Sequence, residues 1–442
     1  MSRYGAPRWA GVVLVSMVIG VGLGLAAPST SPVGEAPALS DLTRTSPTVW
    51  VAHLSGLAAG YVAIVLIALM SRWPLLERRI GTGRLIRWHA RGGRLVVALI
   101  LVHAAFATMA WASMRHLELG ASALAVVRMP GVGAATVGLA AMLIIGVASI
   151  RAARRRVRYE VWQTIHLLGY LAVALGLAHQ LAGPDLAGRP PLQVAWAVLY
   201  IVVFGLAVHY RVLVPARGAL RHRLRVSEVT READDTVSIM VTGHHLDELG
   251  IEPGQFLRWR FLSANTVLAA LPFSLSAPPT RQQLRLTVKA AGDGSRALQT
   301  IEPGTRVVVE GPYGRLTGSR RRRPNVVLIA GGIGITPLRV LFETLPLPDG
   351  GDLLLLYRTE PGRVLFRDEL DALAQRRGAR VRYLLRGDRG QLTGAFLLGR
   401  VPDLIERDVF ICGPPAMTAA VGAELVRLGL PRAQLHIEAL TF

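Results

Sequence analysis

Four histidines lie in stretches too apolar to hold an ionisable ring cheaply: His89 and His103 in one, His166 and His179 in another. A ring in such surroundings needs a partner. The pairs are fourteen (103 − 89) and thirteen (179 − 166) residues apart. At 3.6 residues per turn both separations return to nearly the same helix face, about 20 Å further along. If the two stretches run in the same direction, His89 stands level with His166 and His103 with His179, which makes two stacked bis-histidine sites. Haem iron accepts an axial imidazole from each side. The competing reading is a hydrogen-bonded helix contact, the usual role of a lone membrane histidine, which two matched pairs disfavour. Zinc would need four ligands to converge that these spacings hold apart. Arg87, Arg91 and Arg94 flank His89, where they can meet haem propionates or simply mark the cytoplasmic side. His53 is unmatched and reads as packing or as support for another group. His116, His209, His222, His244, His245 and His436 show no paired spacing.

The elements that must position these rings are spans of a bilayer. Apolar stretches of membrane-crossing length run over 9–27, 47–70, 85–110, 131–150, 160–180 and 191–214, six in all. Arginine is concentrated between the second and third (Arg72, Arg78, Arg79, Arg84) and between the fourth and fifth (Arg151, Arg154, Arg155, Arg156, Arg158). The positive-inside rule makes both loops cytoplasmic, and with them both termini and the soluble lobes of a multi-pass cell-membrane protein. The first stretch also resembles a secretory signal ending at Leu25-Ala26-Ala27, whose removal would leave the other spans unchanged.

The chain has 442 residues, 51% of them hydrophobic, and a formal net charge of +21. That charge would suit nucleic acid, but its basic residues are nearly all arginine, Lys289 being the only lysine, and much of it is a topology signal in the loops. Aromatic residues are 6% and no basic run is interleaved with them, so no nucleic-acid partner is expected. One cysteine, Cys412, excludes an intrachain disulfide and a cysteine-ligated iron–sulfur cluster.

Beyond Val214 the pattern changes to short alternating strands over 224–229, 236–241, 256–261 and 284–288, an antiparallel β-barrel. From about Arg323 apolar strands at 326–330, 353–357 and 381–385 alternate with helical segments, as in a parallel α/β sheet. Arg320 to Arg323 reads as the linker. The expected architecture is a six-helix transmembrane bundle (1–215), an antiparallel β-barrel domain (216–320) and an α/β parallel-sheet domain (321–442).

With its paired histidines on the third and fifth spans, the chain resembles the ferric reductase and NADPH oxidase superfamily, over nearly its whole length. That resemblance implies two b-type haems, an FAD-binding barrel and an NAD(P)-binding lobe. Leu271-Pro272-Phe273-Ser274-Leu275-Ser276, after Pro253-Gly254-Gln255-Phe256, is similar to the flavin motif of ferredoxin reductases. Pro272, Phe273, Ser274 and Ser276 are the cofactor contacts it implies: Phe273 can pack on the isoalloxazine, and the small hydroxyl of Ser274 can approach N5 without blocking hydride. The family commonly has a basic residue where this chain has Leu271, which bears on how tightly FAD is held. Gly292, Gly294 and Ser295 allow backbone approach to a pyrophosphate, with Lys289 and Arg296 as alternative charge. Gly311-Pro312-Tyr313-Gly314 completes the order of motifs.

Gly331, Gly332, Gly334, Thr336 and Pro337 follow an apolar strand and open a helix, a turn that admits a dinucleotide pyrophosphate. Cys412, Gly413 and Pro414 resemble the second nicotinamide motif and place Cys412 near the hydride path, although a buried small side chain would look the same. Arg358, Arg363 and Arg386 follow strands where a 2′-phosphate would lie, which favours NADPH, with NADH possible. The resemblance gives Phe442 the place of an aromatic gate over the flavin and sets Glu438 near N5. The expected enzyme passes hydride from NAD(P)H to FAD and single electrons through two haems to a small-molecule acceptor outside, ferric iron or oxygen. A haem-binding carrier or sensor without turnover, or a donor to a partner protein, remains the alternative.

Overall fold

A computed structural model describes residues 46–150, 159–263, 270–348, 350–385 and 392–440. The expected first span, with the arginines of 151–158, Arg386 and Phe442, lies outside the described residues. The chain divides into two compact units, 1–76 with 83–212 and 77–82 with 213–442.

In the first unit, five helices among the described residues are long and apolar enough to cross a membrane. They are α1 (Pro47–Met70), α3 (Thr82–Arg115), α5 (Val132–Ser149), α6 (Tyr159–Ala182) and α7 (Pro190–Val208), which runs on through a π-helical turn (His209–Leu213). Short helices α2 (Pro74–Ile80) and α4 (Leu119–Val127) lie between them, where only loops were expected. Helix α3 has 34 residues, roughly 50 Å at 1.5 Å per residue against a hydrocarbon core of about 30 Å. Its arginine-rich start can therefore stand clear of the apolar layer. Val62, Ile64, Leu66, Val96, Val173, Tyr200 and Val203 form the buried core of this unit. Helices α5 and α6 pack closely along their length, whereas α3 stands further from its neighbours.

The second unit starts with α8 (Val214–His222) and six strands: β1 (Arg225–Ala233), β2 (Thr236–Thr242), β3 (Phe256–Phe261), β4 (Leu271–Ser274), β5 (Gln283–Lys289) and β6 (Val307–Tyr313), with α9 (Asp293–Ala297) before β6. They form two antiparallel three-stranded sheets, β1-β2-β5 and β4-β3-β6, joined by isolated bridges at Arg225–Arg306 and Leu275–Leu286. Every second residue of β3 is buried, as alternation requires, and Leu257, Trp259 and Phe261 fill the core between the sheets. Pro272 is tolerated because β4 is an edge strand.

Next come β7 (Val326–Gly331), α10 (Ile335–Thr344), β8 (Leu353–Thr359), α11 (Arg367–Arg377), β9 (Arg380–Leu385), α12 (Gly394–Arg400), β10 (Asp408–Gly413), α13 (Pro415–Arg427) and β11 (Leu435–Ala439). All five strands are parallel, in the order β11-β10-β7-β8-β9. The central strands β7 and β10 are buried at every position, as a sheet covered on both faces demands. The arginine-rich linker is pinned where the backbone N–H groups of Arg322 and Arg323 donate to buried Asp408.

The two lobes of this unit share an ionic clamp. Arg285 on β5 donates both terminal nitrogens to Glu369 on α11 at 2.9 Å, and Arg339 on α10 donates to the same carboxylate at 2.7 Å. Burial alone would raise the Glu369 pKa, but these arginines outweigh it and hold the group below the usual carboxylate range. A depressed carboxylate contributes stability above its unfolded pKa, and that contribution is lost as pH falls through the folded value. Glu369→Gln is expected to destabilise this unit by about 1–2 kcal/mol after allowance for solvent screening. Thermal unfolding of the full chain at neutral pH and at pH 4 checks this: the deficit should shrink in acid.

Candidate functional site

The first unit brings the four histidines together in two pairs. Nε2 of His89 lies 3.5 Å from Nε2 of His166, and the rings of His103 and His179 have centroids 6.0 Å apart. The other nitrogens explain the orientation. Nδ1 of His89 is 3.2 Å from the Leu66 carbonyl oxygen and Nδ1 of His103 is 2.8 Å from that of Ala52. A carbonyl only accepts, so each Nδ1 carries the proton and each Nε2 the lone pair, which on His89 faces Nε2 of His166. The carbonyls are fourteen residues apart on α1 (66 − 52), matching the fourteen between the histidines of α3. Gly56 allows the His103 ring to lie on α1, since a β-carbon there would fall 2.6 Å from Nδ1. Trp162 stacks on His166 at 4.9 Å. His53 pairs with Asp185 at 2.7 Å, one residue from the carbonyl that holds His103.

Two imidazoles that face each other, one of each pair anchored on a carbonyl of α1, can ligate one metal centre from two sides, a centre whose remaining ligands the protein does not supply. Two imidazole–metal bonds of about 2.0–2.1 Å span about 4 Å. The 3.5 Å gap is within half an ångström of that. No cluster of three or more metal-ligating side chains occurs among the described residues.

In the second unit, a line of residues joins the two lobes. Ser274 is the cross-strand neighbour of Phe256, whose ring lies 5.7 Å from Tyr313. Gly314, at φ +98°, leaves room for Phe256 on one side and for the Glu438 carboxylate on the other, 3.3 Å from where a β-carbon would sit. Glu438 is the register partner of Cys412. The fully buried Trp259 donates its indole N–H to the Phe273 carbonyl at 3.0 Å, which fixes β4. Phe273 is half-buried and Pro272 exposed.

At the C-terminal edge of the parallel sheet, Gly413 and Gly331 end β10 and β7, and Arg358, the register partner of Gly331, is the last residue but one of β8. Strand order reverses between β7 and β10, the place where open α/β sheets bind ligands. Their two turns are pressed together: a β-carbon on Gly334 would meet the Cys412 carbonyl oxygen at 2.3 Å, and one on Gly331 would meet the Met417 sulfur at 2.5 Å. Gly332, at φ +54°, faces open space. The Arg358 Nε is buried without a hydrogen-bond partner among the described residues.

Other expected contacts are occupied locally. The Ser276 hydroxyl accepts from Thr287 inside the barrel core at 2.7 Å. Ser295 accepts from the backbone N–H groups of Ala291 and Gly292, and Thr336 bonds the carbonyl of Ile333. Pro337 is buried in the first turn of α10. Lys289 pairs with Asp235 at 3.6 Å within the antiparallel lobe, and Arg363 reaches the same carboxylate at 2.9 Å from the parallel lobe. Gly294 packs on Leu271, so the glycine turn meets an apolar side chain where a cation was expected. Arg87 and Arg91 lie about 200° around α3 from His89, and Arg94 about 140°, at 100° per residue. All three are exposed on the face away from the histidines. Sequence reasoning missed Arg258, which donates to the Ala270 carbonyl at 3.0 Å beside Leu271, and Arg211, considered below.

Comparison with known proteins agrees with this layout. A model of the ferric reductase-like transmembrane component matches residues 55–177. Models of the oxidoreductase FAD-binding and NAD-binding domains match 223–317 and 328–422. The chain belongs to the ferric reductase and NADPH oxidase superfamily. Its soluble part is similar to the ferredoxin reductase component of a 3-ketosteroid-9-alpha-monooxygenase from Mycolicibacterium smegmatis, 33% identical over 49% of this chain and 64% of that protein. Ferredoxin–NADP reductase B from Sorangium cellulosum is 32% identical over 38% of this chain and 76% of its own length. The FAD/NAD-binding domain of a Vibrio cholerae nitric oxide dioxygenase overlays with a TM-score of 0.40 at 22% identity, covering 49% of this chain and 98% of that one. The chain thus spans about two thirds of the ketosteroid reductase it matches.

Burial raises the Glu438 pKa to about 7, and burial together with Glu438 pushes the Cys412 thiol well above its usual range. Cys412 is therefore a neutral thiol at physiological pH and no nucleophile. Glu438 keeps a proton that the unfolded chain loses above about pH 4.5, so it costs stability as pH rises toward 7. The rate of flavin reduction by NADPH is expected to bend near pH 7, and stopped-flow traces of Glu438→Gln should lack that bend.

Proposed function

We propose that this protein is a transmembrane oxidoreductase that moves electrons from NAD(P)H, through FAD and two b-type haems, to an acceptor on the far side of the cell membrane, with its soluble lobes cytoplasmic. The single observation that carries this reading is the double pair of facing histidines, His89 and His103 each anchored on a carbonyl of α1. Such pairs would supply two axial positions twice over, in a unit that matches the ferric reductase-like transmembrane component. Bound FAD would accept hydride and release electrons singly, and each haem would carry one electron.

The chain's own residues bind, orient and exclude water. Gly331, Gly332, Gly334, Gly413 and Pro414 form the paired turns against which the dinucleotide backbone would lie. Arg358 would take its 2′-phosphate, which favours NADPH over NADH. Phe273 and Ser274, fixed by Trp259, would present one face and N5 of the flavin, and Arg258 would supply the charge that Leu271 lacks. Glu438 would hold a proton near the flavin, with Phe442 as the covering aromatic. His89 with His166 and His103 with His179 would hold the haems, the second pair on the outer side. No nucleophile or general base is needed. The acceptor is a small molecule, ferric chelate or oxygen. A haem carrier without turnover, or a donor to a partner protein, is the second reading.

Anaerobic membranes should show b-type haem bands when reduced with NADPH. His103→Leu and His179→Leu should each remove about half of the haem while the remainder is still reduced. No haem bands even with dithionite would leave only a flavin reductase. Arg358→Ala is expected to raise KM for NADPH about tenfold, the equivalent of one lost charge-assisted contact, and to leave KM for NADH nearly unchanged; steady-state kinetics with both nucleotides checks it.

A further inference from the structure

Arg211 is the one charged residue that the π-helical turn after α7 turns back into the membrane unit. Its Nη1 donates to the carbonyl of Met70 at the end of α1 and to the hydroxyl of Tyr170 on α6, both at 3.1 Å. Its guanidinium also lies 5.9 Å from the centre of the Tyr170 ring. Tyr170 follows His166 by four residues, one turn along the same face. Both His89 and His166 lie within range of the Arg211 charge. Among the described residues every partner of Arg211 is neutral and no ion pair includes it. A guanidinium has five N–H donors, so these contacts leave donors unused. A half-buried cation beside an apolar core is costly without an anion. Insertions of the π type recur where a side chain must be re-aimed at a functional site.

We propose that Arg211 is the anion-binding partner of the group held by His89 and His166, taking a propionate carboxylate and holding the reduction potential of that haem up. The proposal rests on the haem reading given above. Arg87, Arg91 and Arg94, the arginines nearest His89 in sequence, face away from it, so the counter-charge comes from the end of the last span and not from the helix that carries His89. Arg211 is a positioning residue that acts through the haem. Because reduction adds an electron to the iron, a fixed cation nearby favours the reduced form, and removing it lowers the potential.

The test is a redox titration of the purified full chain in the His179→Leu background, which keeps only the pair at His89 and His166. Arg211→Gln should retain one haem per chain and lower its midpoint potential by about 59 mV, a tenfold change in the oxidised-to-reduced ratio. Arg211→Lys, which keeps the charge, should restore most of the shift, and the propionate bending band in resonance Raman spectra should move in the Gln variant. An unmoved midpoint and an unmoved band in Arg211→Gln with haem retained would overturn the proposal while leaving the haem reading intact. A Lys variant shifted as far as Gln would overturn the charge argument. If the unsubstituted chain binds no haem, both readings fall together. Should Arg211→Gln not fold, the Lys variant and Tyr170→Phe, which frees one guanidinium donor while keeping the charge, decide the question: both must keep the midpoint.

Discussion

Two backbone carbonyls of α1, those of Leu66 and Ala52, settle what the membrane unit can do. A helix normally satisfies its own carbonyls, but each oxygen has a second lone pair, and here that capacity is spent on a histidine of α3. The hydrogen bond fixes the tautomer, and the tautomer leaves Nε2 with a lone pair, which is what a ring needs if it is to act as a ligand as proposed here. Because α1 offers its carbonyls at the same fourteen-residue separation as the histidines, one helix–helix register orients both levels. Gly56 and the stand-off of α3 are consequences: the first lets a ring touch α1, and the second leaves the histidine side chains to bridge the gap.

The soluble unit obeys a different constraint. Its chemistry must cross from an antiparallel lobe to a parallel one, so the lobes cannot drift. Arg285, Arg339 and Glu369 clamp them on one flank, while Asp235 with Arg363 ties a second point. Between these ties runs the line from Ser274 through Phe256, Tyr313 and Gly314 to Glu438 and Cys412. Only glycine at 314 allows an aromatic ring and a carboxylate to meet at that point. Burial of Glu438 is the cost of that closeness, and it appears as a pKa near 7 rather than as an unpaired charge.

Periodicity made the five described spans, the strand pattern and the paired histidines legible in advance, because a bilayer and a two-faced sheet impose their repeats on the sequence itself. The glycine turns were legible for the same reason, since close approach leaves no other residue. What the sequence could not show was which polar side chains a local backbone group would claim. Ser276, Ser295 and Thr336 all have the right type in the right motif, yet each hydroxyl is taken by a neighbour. Lys289 and Arg363 have the type of phosphate ligands, but both also reach one carboxylate, Asp235, Lys289 within its own lobe and Arg363 from more than a hundred residues along the chain. Short helices α2 and α4 carry no long apolar run and left no signal of membrane length.

Arg211 and Arg258 escaped the sequence reading for a related reason. Each sits in a chain of fifty arginines and lysines, where one more positive charge looks like topology or solubility. Their distinction lies in what they reach: Arg211 is turned inward by a five-residue π-helical segment, and Arg258 by its place across β3 from Pro272. The three arginines beside His89 satisfy the positive-inside rule and point outward, whereas the one that points inward is more than a hundred residues away in sequence. Charge that orients a membrane protein and charge that serves its interior are therefore separable here by helix face and not by proximity along the chain. The same separation governs the histidines, since His53, adjacent to Ala52, turns to Asp185 while the carbonyl next to it turns to His103.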